Sequence, residues 1–114
     1  MQLTLPVPPS ANRIWRKYRG RMVKSDEYRA WLDEAAWSVK AQRAGVETFG
    51  SNPVAVTIVS ERPHAARDVD NQIKPILDSL QHAGVIDDDK HVQKVSAEWA
   101  GKGKSMTVTV EAIE

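Results

Sequence analysis

The chain has 114 residues, of which 41% are hydrophobic and 27% charged, and it contains no cysteine. This composition predicts one globular domain over residues 1–114 and excludes disulfide frameworks, thiolate zinc sites and cysteine nucleophiles. No stretch is long and apolar enough to span a bilayer, and the N-terminus lacks the charged and apolar regions of a secretion signal. We therefore expect a cytoplasmic protein that makes no contact with a membrane.

Charge is distributed unevenly along the chain. Residues 13–24, called the basic strip below, contain no acid and carry the cations Arg13, Arg16, Lys17, Arg19, Arg21 and Lys24. Because the whole chain has a net charge of +1, the strip is +6 and the remainder is −5. Charge segregated in this way indicates a surface that faces a polyanion, on a body whose acids serve another purpose.

The first half of the chain contains signals for one strand and one helix. Alternation of Leu3 and Leu5 with polar residues predicts a short strand over residues 2–6. The basic strip that follows is predicted to be a loop. Ser25 is placed to cap a helix that Gly45 would end. The apolar face of this helix would hold Tyr28, Trp31, Leu32, Ala35 and Val39.

The second half predicts three strands and one helix. In residues 53–60, apolar side chains occur at both odd and even positions, which favours a strand covered on both faces at the centre of the sheet. A helix is expected over roughly residues 71–83, followed by Gly84 as its cap. The last third predicts a hairpin that turns at residues 101–104. The order β-α-β-α-β-β indicates an α+β fold, a mixed sheet with two helices packed on it.

Two acidic segments flank the second predicted helix. Asp68 and Asp70 converge if their segment is extended, and adjacent carboxylates repel unless a cation or a proton lies between them. The run Asp87-Asp88-Asp89 after the helix could return beside them. Oxygen ligands from two segments, without cysteine, point to Mg²⁺, with Mn²⁺ as a possible substitute, rather than to zinc.

Lys74 lies four residues after Asp70 and four before Asp78, which would place the three side chains on one helix face. The same residues fit a plainer interpretation, in which the acids are caps, turn residues and surface pairs. Spacing alone leaves both interpretations open. An EF-hand is excluded, because counting from Asp68 there is no glycine at the sixth position and Ser79 stands at the twelfth.

The basic strip interleaves Trp15 and Tyr18 with its cations, a combination that lets a segment follow phosphates and stack on unpaired or distorted bases. The alternative is that both aromatic rings pack on the domain while the arginines are only solvated. On the first interpretation, the residues assigned to DNA binding are Arg13, Trp15, Arg16, Lys17, Arg19, Arg21 and Arg67.

Several motifs occur in an order that covers most of the chain. They are Pro-Pro-Ser-Ala-Asn-Arg at residues 8–13, Arg-Asp-Val-Asp-Asn-Gln-Ile-Lys at 67–74, Asp-Ser-Leu at 78–80, Ala-Gly-Val-Ile at 83–86 and Asp-Asp at 88–89. In these features the sequence resembles the RusA family of Holliday-junction resolvases.

That resemblance implies metal-binding carboxylates at Asp68, Asp70 and Asp89, with Asp88 as the alternative to Asp89, and a catalytic lysine at Lys74. It also implies Mg²⁺ dependence and a homodimer that cuts branched DNA, the four-way junction of recombination and repair, by paired symmetric hydrolysis. Two other functions stay open at this point. They are a non-catalytic DNA-binding module and a metal-dependent phosphoesterase of other specificity.

Overall fold

The computed structural model describes residues 1–43 and 48–113. It confirms the α+β class, a mixed sheet with two helices. The strands are β1 (Gln2–Pro6), β2 (Trp15–Tyr18), β3 (Arg21–Lys24), β4 (Val54–Arg62), β5 (Val92–Lys102) and β6 (Ser105–Ala112), and the helices are α1 (Asp26–Gln42) and α2 (Ile73–His82). The expected helix end at Gly45 lies outside the described residues. Neither helix is long and apolar enough to cross a membrane.

The main sheet has the strand order β1-β6-β4-β5. β6 pairs antiparallel with both β1 and β4, whereas β5 pairs parallel with β4. The prediction that residues 53–60 form a central strand is therefore confirmed. The predicted cover on both faces of that strand is wrong: Val56 and Ile58 on one face are buried, whereas Thr57 on the other face is exposed.

The predicted C-terminal hairpin is also wrong, because β4 lies between β5 and β6. The alternation of apolar and polar residues shows which side chains share a face of each strand, but it does not show which strands pair with each other. The short connection passes the end of β4, where the Gly103 N–H donates to the Arg62 carbonyl (3.3 Å). Gly103 has a φ of +146°, and a Cβ there would come within 2.6 Å of Glu61 Oε1. Glycine is thus required at this crossing.

The basic strip forms a second sheet instead of the predicted loop. β2 and β3 pair antiparallel, with Trp15 opposite Lys24 and Tyr18 opposite Arg21. Arg19 and Gly20 between them both have positive φ values, 51° and 79°, as a tight hairpin turn of the I′ kind requires. The strip lacks apolar alternation because nearly all of its side chains face solvent, so the usual strand signal is missing.

Both helices begin as local sequence predicts, and Gly84 follows the end of α2 as expected. Ser25 Oγ accepts from the Tyr28 N–H (3.1 Å) at the start of α1. A 3₁₀ turn over Val69–Gln72 leads into α2, so regular helix starts at Ile73 and Pro75 falls in the first turn, where its missing N–H costs nothing. After α2, Gly84 has a φ of +78° and its N–H donates to the Gln81 carbonyl (3.1 Å).

Candidate active site

The first acidic segment lies between the end of β4 and the start of α2. Asp68 is extended and precedes the 3₁₀ turn Val69–Gln72, which contains Asp70; we call Asp68 and this turn the acidic turn. Both carboxylates are exposed. The loop before them is fixed by Arg62, whose Nη2 donates to the carbonyls of Ala65 (2.7 Å) and Arg67 (2.9 Å). Arg62, the last residue of β4, therefore fixes the loop that leads into the acidic turn.

Lys74, on the first turn of α2, contacts one acid of its own helix and one acid of the second acidic segment. Its Nζ lies 2.9 Å from Asp78 Oδ1 and 3.2 Å from Asp89 Oδ2. The hydrogen bond to Asp78 is the largest cause that raises the Lys74 pKa, and the bond to Asp89 adds to it, whereas partial burial opposes both. The lysine consequently carries its positive charge at any pH at which a protein normally works.

The second acidic segment gives its two candidate ligands different surroundings. Asp88 accepts from the Lys90 N–H (2.9 Å), and this hydrogen bond is the main cause that lowers the Asp88 pKa. Asp89 turns its side chain to Lys74, and its N–H donates to Gln81 Oε1 (3.1 Å). Asp88 acts as a cap of its own turn, while Asp89 faces the lysine.

The structure thus brings together Lys74, Asp78 and Asp89. Asp68 and Asp70 lie on the adjoining turn and form no ion pair with any residue of the described chain. Within residues 1–43 and 48–113, no three acidic or histidine side chains lie close enough together to hold a metal ion. The donors offered by both segments are nonetheless carboxylate oxygens, the ligands that a hard cation such as Mg²⁺ prefers.

Sequence reasoning missed one member of this network. Tyr28 on α1 was predicted as a core residue, and its side chain is buried, but its hydroxyl donates to Asp78 Oδ2 (2.6 Å). Burial is the main cause that raises the Tyr28 pKa well above its usual range, and the bond to Asp78 raises it further. The two residues are fifty positions apart, so no local pattern could have revealed the contact.

The hairpin β2–β3 stands beside this network. The guanidinium groups of Arg16 and Arg19 lie 5.3 and 5.2 Å from the centre of the Tyr18 ring, which is 45% exposed. Trp15 is 39% exposed, and its ring centre lies 6.3 Å from that of Tyr28. Lys17 and Arg21 are exposed as well. From Trp15 to Arg21, the predicted DNA-binding residues therefore lie on one cationic and aromatic hairpin, and its Trp15 ring approaches Tyr28 of the network.

A cleft of about 420 Å³ adjoins the hairpin and is lined in part by Arg13, Arg67 and Lys104. Arg67 Nη1 donates to the Pro8 carbonyl (3.0 Å). Partial burial is the main cause that lowers the Arg67 pKa, and repulsion by Arg13 adds to it. The cleft also contains Glu27 and Glu34, and Arg13 Nε lies 3.0 Å from Glu27 Oε2, so a phosphate bound there would compete with that carboxylate for Arg13.

An acidic turn, a lysine held by two carboxylates and a cationic hairpin beside them are features of enzymes that act on phosphodiesters. Comparison with known proteins gives the family. Residues 6–111 match the family described as endodeoxyribonuclease RusA, and the chain belongs to that family.

The relatives cover most of this chain. It is 38% identical over 91 residues to the crossover junction endodeoxyribonuclease RusA of Escherichia coli strain K12, a match that covers 79% of this chain and 74% of that protein. The proteins of the same name from Enterobacteria phages 82 and HK97 are 37% and 28% identical, over 79% and 82% of this chain and 74% and 78% of their own lengths. The resemblance seen in the sequence motifs is therefore confirmed.

Proposed function

We propose that this protein is a Mg²⁺-dependent endodeoxyribonuclease that resolves four-way DNA junctions in recombination and repair. One observation supports this above the others: Lys74, two residues after the turn that contains Asp70, pairs with Asp89 of the second acidic segment. The names of the relatives, crossover junction endodeoxyribonucleases, supply the substrate.

In this proposal Asp68, Asp70 and Asp89 hold the metal, with Asp88 as the alternative to Asp89. Asp89 is preferred because the Asp88 carboxylate already accepts from the Lys90 N–H. A bound Mg²⁺, or Mn²⁺ in its place, supplies charge neutralisation at the scissile phosphate and lowers the pKa of a coordinated water. Lys74 presents its ammonium to the phosphoryl oxygens, where negative charge increases in the transition state.

Binding of the junction arms is assigned to the hairpin and the adjoining cleft. Arg16, Lys17, Arg19 and Arg21 would neutralise phosphates with release of counterions, which makes affinity fall steeply as salt rises. Arg13 and Arg67 would hold a phosphate near the acidic turn. Trp15 offers a ring on which a base at the branch point can stack.

A homodimer belongs to the same proposal, because a junction with two-fold symmetry needs two active sites to cut opposed strands. A cytoplasmic location belongs to it too. Analytical ultracentrifugation should give a species of twice the 12.7 kDa chain mass. A chain that stays monomeric at every concentration tested, with junction DNA present, would contradict paired cutting by a dimer.

The experiment that tests this function compares a labelled synthetic four-way junction with a linear duplex of the same arm sequence, each with and without Mg²⁺. We expect Mg²⁺-dependent cuts in opposed strands of the junction, with the linear duplex left intact. Tight binding without cutting would instead indicate a DNA-binding module. Equal hydrolysis of both DNAs and of a small phosphodiester would indicate a phosphoesterase of broader specificity.

A further inference from the structure

Two carboxylates contact Lys74, and they differ in how firmly they are held. Asp78 uses both oxygens: Oδ1 lies 2.9 Å from Lys74 Nζ, and Oδ2 accepts from the Tyr28 hydroxyl at 2.6 Å. Its side chain is 12% exposed, compared with 33% for that of Asp89. Asp78 is thus the fixed partner of Lys74, and Asp89 is the more accessible one.

The Tyr28 hydroxyl is itself fixed by the packing of its ring. The residue is fully buried, and its ring stacks on that of Trp31 with centres 6.1 Å apart and planes 10° apart. Trp15 packs against the ring from the hairpin side. Because burial raises the Tyr28 pKa, the phenol keeps its proton and remains a donor to Asp78. A chain of contacts therefore runs from the core to the lysine.

We propose that Asp78 is a positioning residue for Lys74 and that Tyr28 fixes Asp78 for this purpose. The proposal rests on the catalytic role proposed for Lys74. Asp89 is assigned as a metal ligand, so a bound cation would compete with Lys74 for its carboxylate. Asp78 keeps its contact with Lys74 even when the Asp89 side chain turns away to bind a cation.

A purely structural role is the competing explanation, because the Tyr28–Asp78 bond also ties α1 to α2. The chain offers a control for this. Asp33 on α1 and His82 on α2 form another tie between the same helices, with Oδ1 and Nε2 2.9 Å apart. Asp33→Asn weakens a helix–helix tie without touching Lys74.

Two variants test the network. In Asp78→Asn one of the two carboxylate oxygens becomes an NH₂ donor, so the side chain can no longer meet Tyr28 and Lys74 through separate oxygens, and it has no charge to hold the ammonium. Tyr28→Phe keeps the ring and removes only the hydroxyl. If Asp78→Asn folds poorly, Tyr28→Phe still tests the proposal, because the stacked ring remains in place.

The first readout is the ¹⁵N-detected signal of the Lys74 ammonium in DNA-free protein, assigned through its loss in Lys74→Arg. A lysine held by two carboxylates exchanges its protons slowly and should give a distinct signal in the wild type and in Asp33→Asn. We expect Asp78→Asn to lose this signal and Tyr28→Phe to shift or broaden it. This readout needs neither DNA cutting nor a metal.

The second readout is junction cutting in Mg²⁺. We expect kcat to fall about tenfold in Asp78→Asn, which loses the direct partner of Lys74, and about threefold in Tyr28→Phe, which loses only one hydrogen bond to that partner. KM and Mg²⁺-free junction affinity should stay within about twofold of wild type, since both variants leave every proposed phosphate-binding side chain in place. The double variant should cut no slower than Asp78→Asn, because both changes break one chain of contacts.

The results separate this proposal from the proposed function. The positioning proposal is overturned if Asp78→Asn keeps the wild-type Lys74 signal. It is also overturned if Asp33→Asn, at an equal loss of stability, lowers kcat as much as Asp78→Asn does. A wild type that cuts no junction refutes the proposed function, whereas the ammonium signal still reports whether Asp78 and Tyr28 hold the lysine.

Discussion

The carboxylates around Lys74 illustrate how surroundings assign different roles to one residue type. Asp78 is held by a buried phenol, Asp89 faces the lysine from a turn after α2, and Asp88 accepts from the Lys90 backbone. Sequence alone offered Asp88 and Asp89 as alternative ligands and placed Asp78 beside Lys74 on a helix face, without showing what each would contact. Their partners, not their spacing, distinguish a positioning acid, a candidate ligand and a cap.

Tyr28 should resist ionisation as long as the protein stays folded. With Tyr18→Phe as background, Tyr28 is the only phenol left of the two in the sequence. Because its folded pKa is raised above the unfolded value of about 10, the stability it contributes is fully present below that pH and is lost as pH rises beyond it.

Alkaline titration of the Tyr18→Phe variant checks this. Phenolate absorbance should appear together with the loss of helical circular dichroism, not before it. Phenolate formed near pH 10, in protein that is still folded, would contradict the buried hydrogen-bonded phenol. Tyr28→Phe in the same background serves as the spectroscopic blank.

Residue spacing predicted that Lys74 pairs with Asp78, but it equally predicted a pair with Asp70, which does not form. Asp70 and Asp78 are both four residues from Lys74, yet only Asp78 is on α2, because the helix starts at Ile73 and Asp70 belongs to the 3₁₀ turn. The helix boundary thus decides the contact. The link to Tyr28 was beyond prediction, since it depends on how α1 packs against α2.

At the scale of elements, the hairpin β2–β3 differs most from the sequence-based expectation. Neither strand has a buried apolar face, so the sequence lacks the alternation of apolar and polar residues by which a strand is recognised. Its turn is formed by Arg19 and Gly20, which both have positive φ. One residue anchors it: Ile14, just before β2, is buried, and its carbonyl accepts from the Ser25 N–H at 3.0 Å. The hairpin is therefore a projecting cationic surface on a fixed base.

Removing two cations from the hairpin should weaken DNA binding in a salt-dependent way. For Arg16→Ala/Arg19→Ala we expect the slope of log K against log salt to fall in magnitude by about 2, roughly 0.9 for each phosphate that the protein no longer neutralises. Fluorescence anisotropy with a labelled junction at several salt concentrations measures it. Lys40→Ala, near the far end of α1, is the control and should leave the slope unchanged. An unchanged slope in the double variant would exclude the hairpin from the interface.

The connection between β5 and β6 should tolerate no side chain at Gly103. Gly103→Ala must adopt a φ near +146° and displace Glu61, whose Oε1 accepts from the Ser105 N–H at 3.0 Å. We expect a loss of about 1 to 3 kcal/mol in the free energy of unfolding, measured with urea. Lys104→Ala, one residue further on, should change it by less than about 0.5 kcal/mol. Equal effects of the two substitutions would contradict the requirement for glycine at this crossing.

At the scale of the whole molecule, the sequence predicted the fold class and the central strand, because burial leaves a pattern in the chain. It could not predict strand pairing: β5 joins the far side of β4 although it is nearest to β6 in sequence. The acidic turn leads directly into α2, and Lys74 on α2 pairs with Asp89 in the segment that follows the helix. The candidate site could be predicted only as a set of residues. The match to the RusA family confirms the resemblance on which that set was based.

The central claim is that Asp70 belongs to a metal-dependent cutting site and not to a cap. The most direct test measures Mg²⁺-free affinity and Mg²⁺-dependent cutting of one four-way junction by wild type, Asp70→Asn and the control Asp33→Asn. We predict that all three bind the junction alike, and that Asp70→Asn cuts it about a hundredfold more slowly, since one charged ligand supplies several kcal/mol of transition-state stabilisation. Cutting by Asp70→Asn at the wild-type rate would contradict the claim.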